Sequence, residues 1–165
     1  MSDAAKKLGL ITEVFTRALA KALEVQCQYR VTAGTPFAGK ASVDPASRST
    51  AIGAVLGLVG KEFNGTVAIS YEEKLFLAIL STILGQPILA MGSELDDIAG
   101  EILNMVFGIA KAEIEQTMGY TFSSAIPTVI KGDRTRIRSM KGNIQISVPF
   151  TGRDGFLELR LSSGQ

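Results

Sequence analysis

The same order of elements runs twice along this chain, and that repeat restricts its fold more than any other feature. Tyr29 and Pro36 recur as Tyr120 and Pro127, each 91 residues further on. In both halves the Tyr and Pro follow a long helical pattern and precede a hairpin. In the first half Leu8, Ile11, Val14, Phe15, Ala18 and Ala22 fall at i, i+3, i+4 spacing, which predicts a helix over residues 3–24. A strand over Val25–Thr32 is expected next, then a loop holding Gly34, Pro36, Gly39, Pro45 and Ser47. Two strands, Thr50–Val59 and Thr66–Tyr71, are joined by Gly60–Gly65, where Asn64-Gly65 is a strong hairpin signal. An apolar helix over Glu72–Leu84 intervenes, closed by Gly85 with Pro87 beyond it.

The second half opens with a helix over Ser93–Met118, with Ser93 as N-cap, Asp96 three residues on and Gly119 past its end. Strands are expected at Thr121–Ile126, Thr135–Met140, Asn143–Phe150 and Phe156–Leu161, with turns at Lys141-Gly142 and Gly152–Gly155. The pattern implies an α+β fold, in which duplicated helix–strand–hairpin units form a pseudo-symmetric whole with one helix interposed. At 165 residues and 46% hydrophobic, residues 1–165 are expected to form one domain with a substantial core.

Composition removes several chemistries. With 17 basic against 16 acidic residues, the net charge of +1 argues against nucleic-acid binding. The absence of His, with Cys27 as the only cysteine, excludes a His-based triad, the usual zinc sites and an internal disulfide. Cys27 reads as a small core residue. Ser123-Ser124 and Ser162-Ser163 have no His to activate them, and Lys61–Gly65 lacks the Gly-Lys-Ser/Thr of a phosphate-cradling loop. Arg134, Arg136 and Arg138 alternate along one strand pattern, either as a charged edge that resists aggregation or as a docking surface for an acidic partner. The apolar stretch Leu75–Met91 is too short and too interrupted to cross a membrane, and Met1-Ser2-Asp3 does not open a signal peptide. A cytoplasmic protein without membrane insertion is expected.

The second long helix carries the residues that could do chemistry. At about 100° per residue, Asp97, Glu101, Asn104, Gly108, Lys111 and Glu115 fall within a stripe roughly 80° wide. Leu95, Ile98, Ile102, Leu103, Val106, Ile109 and Ile114 take the opposite, core-facing side, and Glu113 falls among them, so the last turn is expected to leave the core. The stripe is either a solvated face or a functional one. Asn104 and Gly108 weigh toward function: together they cost the helix about 1.5 kcal/mol relative to Ala. Glycine also bares backbone beside Glu101 and Asn104, which lets another surface come close.

Asp97-Ile98-Ala99-Gly100-Glu101-Ile102-Leu103-Asn104, with 22 residues between Asn104 and Pro127, resembles the [DS]xxxExxNx22P pattern of the CheC/CheX/FliY phosphatases of bacterial chemotaxis. Gly108–Ala112 and Ile126–Ile130 are similar as well, and the resemblance extends from the first helix to the last strand. In the CheC type both long helices carry the Glu/Asn pair; in the CheX type only the second does. The 91-residue offset sets Leu10 opposite Glu101 and Glu13 opposite Asn104, so one intact pair remains, as in CheX.

The resemblance implies an antiparallel sheet packed on long helices, and a phosphatase acting on the aspartyl phosphate of a CheY-type response regulator. Asn104 would position the attacking water and Glu101 would pair with a cation on the regulator, such as its active-site lysine. Asp97, Gly108 and Lys111 would lie at the regulator contact. No metal or cofactor of its own is expected, since any Mg²⁺ would be held by the regulator. A homodimer is implied, because CheX-type proteins join sheet edges. The alternative is a non-catalytic adaptor that keeps the fold and binds a regulator or a flagellar switch component.

Overall fold

A computed structural model describes residues 2–38, 50–131 and 144–164. Three helices, α1 (Asp3–Gln26), α2 (Glu73–Leu84) and α3 (Ser93–Met118), accompany seven strands: β1 (Val31–Ala33), β2 (Phe37–Ala38), β3 (Ile52–Val59), β4 (Asn64–Tyr71), β5 (Thr128–Lys131), β6 (Gln145–Gly152) and β7 (Gly155–Ser163). The strands make one antiparallel sheet in the order β1-β6-β7-β4-β3-β5, with β2 also paired to β6. The fold is α+β, as the element order implied.

The duplication is visible in the hydrogen-bond register. Val31 pairs with Gly152, and Phe122 forms an isolated bridge to Gly60. Phe37 pairs with Ser147, and Thr128 with Val55. In each case the second pair repeats the first at offsets of 91 and 92 residues. In the central ladder Val67 pairs with Leu161 and Ala68 with Arg160, and an offset of 93 exchanges the two pairs. The pseudo-two-fold therefore passes between β4 and β7 at these residues, and it relates α1 to α3. α2 falls between the two units.

Side-chain alternation sets the core. Ile52, Ala54, Leu56 and Leu58 of β3, Val67, Ile69 and Tyr71 of β4, and Leu157, Leu159 and Leu161 of β7 are buried on one face of the sheet. All three helices join the same core, α1 through Leu8, Ile11, Phe15 and Leu19, α2 through Leu75, Phe76 and Ile79, and α3 through Ile102, Leu103, Val106 and Ile114. Leu95, Ile98 and Ile109 are only partly buried against it. Cys27 lies in this core, where burial pushes its thiol up to about 11. Both expected glycine stops are present: Gly85 and Gly119 adopt left-handed φ angles of 68° and 72° and close α2 and α3.

Four local expectations are corrected. The strand expected at Val25–Thr32 is instead the end of a helix, a connection and the start of a strand: α1 runs to Gln26, Tyr29 N–H returns to Leu23 O, and pairing starts only at Val31. Thr121–Ile126 is not a strand. Phe122 is drawn into the core against Phe63 and Phe107, and the ladder resumes at Thr128, after Pro127. The turn between β3 and β4 is made before Asn64-Gly65, which already pairs within β4; a Cβ at Gly65 would collide with the Ser162 carbonyl, so close packing requires the glycine. Gly92, not Ser93, caps α3, and no side chain caps it. The expected strand Thr135–Met140, its arginines and the Lys141-Gly142 turn lie outside the described residues.

Candidate active site

α3 presents the stripe to solvent. Asp97, Glu101, Asn104 and Gly108 are exposed, and Lys111 is half-buried, with its ammonium 5.7 Å from the centre of the Phe107 ring. Glu101 and Asn104 stand at i and i+3, so they are neighbours on the helix surface, with Cβ atoms about 5–6 Å apart. The opposite side, with Ile102, Leu103, Val106 and Ala110, is fully buried, which fixes the helix against the sheet while the pair remains exposed. Glu113 leaves the apolar side by accepting a 2.6 Å hydrogen bond from Arg17 on α1.

The two mid-helix glycines differ in kind. At Gly100 a Cβ would stand 3.3 Å from Val129 Cγ2 and 3.8 Å from Pro127 Cβ, so close packing explains that glycine. At Gly108 a Cβ would meet nothing within 4 Å. Nothing in the described fold requires glycine there, although it costs the helix about 1 kcal/mol relative to Ala. Its backbone is open for another molecule to approach.

The counterpart face on α1 carries different chemistry. Leu10 is 52% exposed where α3 has Glu101, and the exposed Glu13 and Arg17 occupy the places of Asn104 and Gly108. The pseudo-two-fold thus relates the Glu/Asn pair to a face on which neither position keeps its residue.

Sequence reasoning missed one charged pair beside the stripe. Asp96 is only 2% exposed, and its Oδ2 ion-pairs with Lys131 Nζ at the end of β5. The signal was present: the helical arithmetic puts Asp96 at the margin of the apolar side, where a carboxylate needs a partner.

A pseudo-two-fold antiparallel sheet beneath two long helices is the architecture that this chain shares with CheC-like and CheX chemotaxis proteins. Residues 52–151 match the family model described as chemotaxis phosphatase CheX, and the chain belongs to that family. Among solved structures it is similar to the chemotaxis protein CheX from Vibrio vulnificus, with a TM-score of 0.85 and 25% identity over 94% of this chain and 99% of that one. A CheC-like superfamily protein from Shewanella sp. PV-4 gives a TM-score of 0.84 and 26% identity over 94% of this chain and 97% of that one. The CheX of the CheX–CheY–BeF3–Mg²⁺ complex from Borrelia burgdorferi shares the fold, with a TM-score of 0.75 and 20% identity over 94% and 98% of the two chains. No curated protein matches the chain. Among the described residues, no helix is long and apolar enough to cross a membrane.

Proposed function

We propose that this protein hydrolyses the aspartyl phosphate of a CheY-type response regulator through Glu101 and Asn104 on α3. The observation that carries the reading is the exposed Glu/Asn pair beside Gly108, a glycine with open space around it. Membership of the CheX family supplies the substrate class, and the complex of the Borrelia burgdorferi CheX with CheY supports a regulator as the partner.

The chemistry asks little of the phosphatase. An acyl phosphate is already reactive, and the regulator holds Mg²⁺ and a lysine about its phosphoryl group, so what remains is to place a water in line. A carboxamide is suited to placing it. The amide oxygen accepts a hydrogen bond from the water, and the NH₂ donates without bringing negative charge to the phosphoryl oxygens. Asn104 holds the water. Glu101, one turn back, pairs with a cation on the regulator and fixes the register of the two proteins. Asp97 and Lys111 lie at the rim of the contact, and Gly108 lets the regulator approach the helix backbone.

Phosphate release from a phosphorylated regulator, with and without this protein, tests the proposal. Acceleration supports it. Binding of the phosphorylated regulator without acceleration would replace it with the adaptor reading.

A further inference from the structure

Among the described residues Asp96 is the only buried acid. Apart from the ion pair with Lys131, neither of its carboxylate oxygens has a hydrogen-bonding partner among the described residues. The side chain of Lys131 is 51% exposed at the end of β5. Burying a charge in a single ion pair is an inefficient way to stabilise a fold, because desolvation offsets most of the attraction. Such a pair does resist displacement, since separating it would strand the buried carboxylate.

Its position gives that resistance a use. Asp96 and Gly100 are one turn apart on α3, and Lys131 and Val129 are two residues apart on β5, on one face of the strand. The ion pair joins the first members, and close packing of Gly100 against Val129 joins the second. Two contacts along one line fix how far α3 is rolled about its own axis. Asp97 and Glu101 directly follow Asp96 and Gly100, so the roll decides where the stripe points. At a side-chain radius of about 5–6 Å, a roll of about 10° moves a side-chain tip by about 1 Å. A misplacement of that size can cost a reaction about a hundredfold.

We infer that the Asp96–Lys131 ion pair is a positioning device that sets the roll of α3 and so aims Asn104 at the phosphoryl group. The inference rests on the phosphatase reading above. Asp96 and Lys131 are positioning residues and do not touch the regulator's phosphoryl group.

The test is steady-state phosphate release across a range of phosphorylated-regulator concentrations. The proteins compared are the parent, Asp96→Asn, Lys131→Met, the double variant Asp96→Asn/Lys131→Met, and Lys131→Arg. The double variant leaves no unpaired charge and decides the question if either single variant does not fold, with circular dichroism confirming its fold at the assay temperature. Its maximal rate should fall about tenfold while half-saturation moves less than about twofold, and Lys131→Arg should stay near the parent. A folded double variant with the parent's maximal rate would overturn the inference. So would a loss confined to half-saturation, which would assign the pair to docking. A parent that releases no phosphate would overturn the phosphatase reading and this inference with it; an active parent with unaffected variants would overturn this inference alone.

Discussion

Gly100 lies against Pro127: a Cβ built on the glycine would stand 3.8 Å from the proline's Cβ. A proline separated from Asn104 by 22 residues is thereby folded back onto the turn of α3 that precedes Glu101. The long gap between the Glu/Asn pair and the proline is the length of chain needed to finish α3, pass Gly119 and return to the sheet at β5. Proline suits the position because it donates no hydrogen bond, and it stands immediately before the ladder resumes at Thr128.

Gly108 gives the cleanest separation of fold from function. Gly108→Ala places its Cβ in open space and should stabilise the protein by about 1 kcal/mol. Gly108→Leu should also leave the fold intact, yet weaken regulator binding by about tenfold or more by holding the partner off the helix. Thermal unfolding and titration of the regulator, run on both variants, check the two halves of this prediction.

Glu101 is expected to act through its charge. Glu101→Ala should weaken regulator association by about tenfold, since it leaves the partner's cation unpaired. Glu101→Gln keeps the shape and most of the hydrogen-bonding capacity, so a loss of similar size in that variant would assign the effect to the carboxylate's charge. Affinity and maximal rate should be measured separately for each.

We propose that the chain forms a homodimer. Among the described residues β5 pairs with β3 alone, and β1 and β2 pair with β6 alone, so both ends of the sheet are candidates for strand-to-strand joining. Light scattering at micromolar concentration should give twice the chain mass of 17.5 kDa. A monomer would contradict the expectation.

Alkaline stability should depend on Cys27. Burial in the folded chain penalises the thiolate and pushes the thiol from its ordinary 9.0 up to about 11. The folded state therefore holds this proton more tightly than the unfolded one. The resulting stabilisation is complete below pH 9 and is lost as the pH rises to about 11. Tyr29, pushed up to about 12 chiefly by burial and then by its hydrogen bond to Asp154, acts in the same direction at higher pH. The melting temperature of Cys27→Ala should fall less steeply between pH 9 and 11 than that of the parent. Equal slopes would contradict the assignment.

The parts legible in the sequence were those set by local rules. The bounds expected for α3, Ser93 to Met118, are those observed, because its apolar periodicity and its glycine stop agree. The repeat was legible chiefly through the matching order of elements, with the Tyr and Pro spacing as lesser support, and the register of Val31–Gly152 and Phe122–Gly60 gives it a physical basis. The errors lie where tertiary contacts override local pattern. Phe122 looks like a strand residue but serves as a core plug, and Asn64-Gly65 looks like a turn but lies in a ladder where Ser162 leaves no room for a side chain. The stripe of Asp97, Glu101, Asn104 and Gly108 followed from helical arithmetic alone. Asp96 and Lys131, 35 residues apart, meet only through the packing of α3 on β5, which no local pattern encodes.

Asn104→Ala tests the central claim most directly. The substitution removes an exposed amide and installs a better helix former, so the fold should gain a few tenths of a kcal/mol. The measurement is single-turnover phosphate release from a regulator that the parent dephosphorylates, at protein concentrations that saturate the complex. If Asn104 holds the attacking water, the variant binds the regulator nearly as tightly as the parent and releases phosphate about a hundredfold more slowly or worse. A variant as fast as the parent would contradict the mechanism.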